Sequence, residues 1–222
     1  MDRCGIEIRN LLDLNKTIAK EIFDGKTYAW EILDELKEFI LRLGETLSSD
    51  EFDHPSDGVW IAKDACVFPS AYIGAPCIID HGAEIRHCAF IRESAIVGKN
   101  TVVGNSVELK NVILFDNVET PHYNYVGDSV LGYKSHMGAG SITSNIKSDM
   151  TPVVVKTDEP IETGREKFGA VLGDYVQVGC NSVLNPGTVV CRNSTIYPTL
   201  CVRGIVPPDS IRKNDGSTVK KS

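Results

Sequence analysis

From Val59 onward an aliphatic side chain recurs every six residues. Ile61, Val67, Ile73, Ile79, Ile85, Ile91, Val97, Val103, Leu109 and Phe115 form an unbroken series. Two residues before each stands a second, mostly small residue, as in Ala65, Ala71, Cys77, Ala83 and Ala89. A spacing of six buries neither a helix face, which repeats every ~3.6 residues, nor a simple strand face, which repeats every ~2. It fits a prism-shaped β-solenoid: each hexad makes one flat side and a turn, and three hexads make a coil of ~18 residues. The period slips around residues 120–132 and resumes at Leu131, Met137 and Thr143. It breaks again over residues 145–169, then returns at Leu172, Val178, Leu184, Val190, Ile196 and Val202. The expected architecture is an all-β solenoid of roughly seven coils. The breaks are where such folds carry their binding surfaces. The first is ETPHYNY (119–125); the second, with its Val153-Val154-Val155 run, reads as an extended loop or hairpin arm.

Residues 11–43 follow a different rhythm. Leu11, Leu12, Leu14, Ile18 and Ile22 suit one short helix, and Asp24-Gly25 marks a turn. Trp30, Leu33, Leu36, Ile40 and Leu43 then suit a second helix, followed by an acidic linker over 48–58 with Pro55 and Gly58. The expected division is an acidic helical cap and linker at 1–57, a solenoid at 58–206 with its insertion at 145–169, and a tail at 207–222.

Charge follows the same boundary. The 222 residues carry a net −7, and residues 1–57 alone hold 7 Lys and Arg against 14 Asp and Glu, so the solenoid is neutral. No basic excess or stripe marks a nucleic-acid binder. No apolar run approaches the ~20 residues of a membrane span, and the polar first ten residues do not read as a signal peptide. Seven cysteines without a CxxC pair suggest neither a disulfide framework nor a zinc knuckle. Reduced thiols in a cytoplasmic protein are the expectation.

Arg92 and Lys110 both follow an inward aliphatic residue and lie 18 apart, which stacks them on one corner with no carboxylate at either position. Two cations so placed can grip a phosphate; equally, they can be solvated surface charges. His122 falls in the first break and suits a general base near neutral pH, or an inert surface histidine. Cys180 occupies a turn position one coil from Pro198, and no histidine in register would generate its thiolate. His81 and His87 are six apart, and no His-x4-His pair of the carbonic-anhydrase solenoid type occurs, so no metal site is expected.

Taken together, residues 92–190 resemble the acetyltransferase domain of bifunctional sugar-1-phosphate uridylyltransferases/glucosamine-1-phosphate N-acetyltransferases, which is a left-handed β-helix. The resemblance rests on VELKNVILFDNVETPHYNYVGD (107–128), GAGSITSN (138–145), TGREKFG (163–169) and VLGDYVQVGCNSVLNPGTVV (171–190). Its most specific part is Lys-x11-His-x2-Tyr-Val-Gly-Asp followed by Gly-Ala-Gly. It implies an acetyl-CoA-dependent, metal-independent N-acetyltransferase for an amino-sugar 1-phosphate, with His122 as base. Arg92 and Lys110 would bind the phosphate and Tyr125 the sugar. Ala139, Asn145, Cys180 and Pro198 would contact acetyl-CoA. Two positions depart from the family: His136 stands where a substrate-binding Asn is usual, and Ile146 where a Tyr follows the cofactor-binding Asn. The resemblance also implies a homotrimer with sites shared between subunits, and no nucleic-acid or membrane partner. No LxxGxGTRM-type run of the uridylyltransferase half is present, so one activity is expected. An inactive trimeric scaffold, or an acetyltransferase for another amino sugar or a nucleotide sugar, are the alternatives.

Overall fold

The computed structural model describes residues 3–221; Met1, Asp2 and Ser222, the extremes of the expected cap and tail, lie outside the described residues. From Val59 the chain winds through seven full coils and part of an eighth, and each coil contributes a short strand to each of three sides. The first coil shows the plan: Val59–Ala62 on the first side, Cys66–Val67 on the second and Tyr72–Ile73 on the third. Strands of successive coils pair in parallel, Ile61 on Ile79, Val67 on Ile85 and Ile73 on Ile91. The periodic aliphatics Ile79, Ile85, Ile91, Val97, Val103 and Leu109 fill the interior without solvent exposure.

From the second coil on, one corner after another carries a residue in the left-handed region. At the corner between second and third sides these residues are Cys88, Ser106, Tyr123, Gly140, Asn181 and Thr199, with φ between 52° and 71°. Their N–H groups reach the coil before, Cys88 to the Ser70 hydroxyl and the others to a carbonyl, so the corner is itself a hydrogen-bonded ladder. Tyr123 N–H donates to Asn105 O at 2.9 Å, Gly140 to His122 O at 3.0 Å, and Asn181 to Ala139 O at 2.8 Å.

The period first shortens earlier than its sequence pattern indicates, and it shortens again between Val126 and Leu131 and between Val202 and Val206. The register shifts between Ile91 and Glu93: Ile91 pairs with Leu109, but Glu93 pairs with Lys110 and Val97 with Leu114. Leu114, not Phe115, therefore continues the inward series, with Thr120 and Val126 after it. Residues 119–125 are consequently no inserted loop; Glu119–His122 and Tyr125–Leu131 are ordinary strands of the coil. Phe115 is buried from outside, its ring edge-on to Phe23 at 5.8 Å.

The first side is covered on its outer surface too. Its outward residues Trp60, Ile78, Ile96, Ile113, Val130 and Val171 are as buried as the inward ones, because the N-terminal segment lies on them. A parallel sheet buried on both faces reads as continuous apolar runs, here Ala95-Ile96-Val97 and Val112-Ile113-Leu114. Each covered Ile contributes roughly 1.5–3 kcal/mol over its exposed state. The helix Leu36–Gly44 crosses the second to fourth coils, and a Cβ at Gly44 would meet the Trp60 ring at 2.4 Å.

The first of the two expected helices does not form. Residues 3–32 make one α-turn, Ile8–Leu11, and 3₁₀ turns at Arg3–Ile6, Leu14–Lys16, Lys20–Phe23 and Ala29–Ile32. Local bonds win over the helix: Asp13 accepts from Asn15 N at 3.0 Å and Thr17 Oγ1 from Ala19 N at 3.1 Å. The backbone instead bonds to the solenoid, Asp174 N to Leu11 O and Asp116 N to Lys16 O, both at 2.9 Å. The expected linker is also structured. Phe52–Ser56 pairs antiparallel with Val59–Ala62 across Asp57-Gly58, where Gly58 has φ +74°. The C-terminal residues close similarly, Ser210–Arg212 against Thr218–Lys220.

Close approach of coils makes some glycines irreplaceable. A Cβ on Gly104 would lie 1.6 Å from Pro121 O, whereas one on Gly25 meets nothing but must adopt φ +73°. Gly104→Ala is expected to lose about 3 kcal/mol and Gly25→Ala about 1 kcal/mol, measured as urea unfolding midpoints. Equal costs would contradict the coil spacing.

Candidate active site

Two clusters form on the two corners that bound the third side. The first is the ladder between second and third sides. Its residues two positions past the inward aliphatic are His87, Asn105, His122, Ala139, Cys180 and Pro198, one per coil. His122, Ala139, Cys180 and Pro198 are thus neighbours in successive coils, all reachable from solvent. The His122 imidazole has no hydrogen-bond partner among the described residues. Its backbone is held by Asn124, whose Oδ1 accepts from His122 N at 3.2 Å. Asn124 is buried, and its amide donates to Gly138 O at 2.9 Å and to Ser141 O at 3.1 Å, tying the His122 turn to the next coil. Within residues 138–141, Gly138, Gly140 and Ser141 spend their N–H groups on carbonyls; the Ala139 N–H has no partner among the described residues.

The second cluster lies where the third side turns into the next first side. Lys110 Nζ lies 3.0 Å from Asp128 Oδ1, and Asp128 is almost fully buried. Asn111 Nδ2 donates to the same oxygen at 2.9 Å, and Asn145 Nδ2 to Oδ2 at 2.5 Å. Asn145 Nδ2 also donates to the Tyr125 hydroxyl at 3.1 Å. Burial, then the carboxylates of Asp128 and Glu108, push the Tyr125 phenol above its ordinary range, partly opposed by Asn145 and Arg92, so it is a neutral hydroxyl at pH 7. Arg92 is more exposed and pairs with Glu108 at 3.1 Å.

Two expectations change here. Arg92 sits at the register shift, so Glu93 and not Arg92 is paired with Lys110. Nor are the cations without acids: Lys110 has Asp128 and Arg92 has Glu108. Asn145, grouped by resemblance with the cofactor contacts, stands among Tyr125, Lys110 and Asp128, apart from Ala139, Cys180 and Pro198. His136 is on the second side, its Nδ1 2.9 Å from Glu119 Oε2. His122 and Lys110 do not meet within one chain. Lys110 pairs with Gly127, five residues and one corner past His122, at most ~16 Å of chain. Asp128 and Asn124 escaped the sequence reading; Asp128 was in reach of it, lying 18 residues past Lys110.

Other reactive groups are muted. Burial pushes the Cys77 and Cys191 thiols up to about 12. The described cysteines are free thiols, and among the described residues no group of His, Cys, Asp and Glu is arranged to hold a metal ion. No helix among them is long and apolar enough to cross a membrane.

The ion pair and the exposed cation can be separated by mutation. Lys110→Met leaves buried Asp128 with amide donors only and is expected to cost about 2 kcal/mol by denaturant titration. Arg92→Met is expected to leave the midpoint unchanged. An unaltered midpoint for Lys110→Met would mean that the pair does not hold the turn.

Comparison with known proteins follows the same stretch of chain. The bifunctional protein GlmU of Methanococcus maripaludis is 34% identical over 115 residues, 51% of this chain and 28% of its own length. GlmU of Methanococcus aeolicus is 36% identical over 102 residues, 46% of this chain and 25% of its own. The bifunctional sugar-1-phosphate nucleotidylyltransferase/acetyltransferase of Sulfurisphaera tokodaii is 34% identical over 91 residues, 40% and 23% respectively. The chain therefore spans about a quarter of the length of the curated relatives it matches. Residues 73–206 match the family described as the GMPPB C-terminal domain, and with a GlmU-like hexapeptide-repeat, left-handed β-helix, the chain belongs to that family.

Proposed function

We propose that the chain is an acetyl-CoA-dependent N-acetyltransferase whose acceptor is an amino sugar carrying phosphate, with glucosamine 1-phosphate the first acceptor to test. The observation that carries this reading is the corner on which an unpaired imidazole, His122, stacks directly below the unpaired N–H of Ala139. The name of the S. tokodaii relative supports it as far as sugar 1-phosphates and acetyl transfer.

Acetyl-CoA supplies the acyl group as a thioester. The acceptor ammonium first gives one proton to solvent, and His122 takes a second from the nitrogen as it attacks the thioester carbonyl carbon. The C–N bond forms, and the oxyanion is met by the Ala139 N–H, a donor already fixed in direction. The C–S bond then breaks, and the departing thiolate takes the proton that His122 holds. The exposed corner past Cys180 and Pro198 accommodates an extended pantetheine. At the other cluster, Tyr125 and Asn145 offer hydrogen bonds to a sugar, and Lys110 and Arg92 offer charge to its phosphate.

Within one chain the two clusters stand on different corners, and no side-chain contact joins His122 to Lys110 among the described residues. This favours a homotrimer in which the His122 corner of one protomer faces the Lys110 cluster of a neighbour, and it is across such an interface that His136 would reach the acceptor.

His122→Ala is expected to lower kcat by about 10²–10⁴-fold, followed as thiol release from acetyl-CoA, with an unchanged thermal midpoint because the ring is exposed and unpaired. Near-wild-type turnover would remove the base. No thiol release from the wild type with any amino-sugar phosphate or nucleotide-linked amino sugar would replace the enzyme with a binding protein. Sedimentation should show three chains per particle; an active monomer would overturn the shared site.

A further inference from the structure

The arm, residues 145–169, leaves and re-enters the coil beside the Lys110 cluster, and its own internal structure is slight. Two short strands, Val154–Val155 and Ile161–Glu162, pair antiparallel. A two-stranded hairpin is marginal in isolation. Its outgoing half is seated by fully buried Val153 against Gly187. Its return strand is seated by something else, the N-terminal segment.

Phe168 is fully buried, with its ring centroid 5.4 Å from that of Trp30. Trp30 is stacked in turn on Tyr28 at 4.6 Å with the planes 3° apart. The turn presenting it is fixed by Glu31, whose carboxylate accepts from Thr27 N at 2.8 Å and Tyr28 N at 3.1 Å. Three residues before Phe168, Arg165 is only 10% exposed and pairs with Asp34 Oδ2 at 2.5 Å. The return strand passes this hold to the site. Phe168 N–H donates to Asn145 O at 2.9 Å, Ile146 and Lys167 form an antiparallel bridge, and Gly169 N–H donates to Asp128 O at 2.9 Å. Asn145 and Asp128 are the two residues whose side chains fix the Tyr125 hydroxyl and the Lys110 ammonium.

We infer that Trp30 and Asp34 are positioning residues: by gripping Phe168 and Arg165 they hold the arm's return strand, and through it the Asn145 amide and the Asp128 turn in the acceptor site. The N-terminal segment is thereby part of the acceptor-binding machinery, although it lies outside the stretch, 73–206, that matches the family. This inference rests on the reading of the Tyr125–Lys110 cluster as the acceptor site. Its mechanical half does not, and is tested separately.

The experiment uses the full chain and the variants Trp30→Ala, Asp34→Asn and the conservative Trp30→Phe. Hydrogen exchange of the Phe168 and Gly169 amides reads the hold itself. Binding of glucosamine 1-phosphate, with KM for acceptor and for acetyl-CoA, reads its consequence. Trp30→Ala and Asp34→Asn are expected to speed exchange at these amides at least tenfold. They should raise the acceptor Kd and KM at least fivefold and leave the KM for acetyl-CoA within twofold. Trp30→Phe should restore both readouts to within twofold of wild type. Where Trp30→Ala fails to fold, Asp34→Asn decides, because Asp34 is largely exposed and its loss removes only the pair with Arg165. Unchanged exchange in a folded variant overturns the inference. Faster exchange with unchanged acceptor binding overturns its link to the site. A wild type that binds no amino-sugar phosphate overturns the functional reading, and exchange alone then decides whether the segment holds the arm.

Discussion

One backbone feature organises this molecule: from the second coil on, a residue at one corner after another turns left-handed and sends its N–H to the coil beneath. Non-glycine residues adopt that conformation at a cost of roughly 1–2 kcal/mol each, offset here by a hydrogen bond that every coil repeats. Asn recurs at these places, at 100, 117, 181 and 193, because its short polar side chain tolerates the conformation. Since the corners are bonded to one another, whatever stands two residues past the inward aliphatic stands in a column. His122, Ala139, Cys180 and Pro198 are brought into line by this ladder and not by contacts among their side chains.

The same regularity divides labour among the three sides. The first is buried on both faces and joins the N-terminal segment to the solenoid through Ile78, Ile96 and Ile113. The second presents polar residues such as Glu84, Glu119, His136 and Gln177. The third lies between the two clusters. The net negative charge belongs to the segment over the first side, while the cations of the Lys110 cluster are balanced within their own neighbourhood by Asp128 and Glu108. An arriving phosphate therefore meets cations already oriented by carboxylates and competes with those carboxylates for them, most sharply at Lys110, whose partner is almost dry.

The periodic aliphatics made the solenoid legible before any coordinate, because a period of six has so few structural solutions. The arm was legible for the same reason, as an interruption with strand-forming Val153–Val155 inside it. What misled was arithmetic that ignored dropped residues. With the coil shortened near Lys110 and Asn111, the inward role passes from Phe115 to Leu114, and an apparent loop around His122 becomes a regular corner. The continuous apolar runs at 95–97 and 112–114 already signalled a second covering layer, and Asp57-Gly58 a hairpin. The 3₁₀ path of residues 3–32 was not legible, since it follows from bonds to Asp116 and Asp174, far away in sequence. Asp128, one residue past the Gly127 that pairs with Lys110, was within reach of the same count.

Both extremities of the solenoid turn back on themselves, Phe52–Ser56 over the first coil and Thr218–Lys220 over the last strand of the second side. A parallel β-helix left open at either end is a template onto which another copy can stack and grow into a fibre. Here one terminal strand at each end, Val59–Ala62 and Ser210–Arg212, finds an antiparallel partner within its own chain, of opposite polarity to the stack. A second copy stacking end to end would meet that reversed strand on one side of the prism at either end, which breaks the three-sided parallel register that longitudinal growth requires.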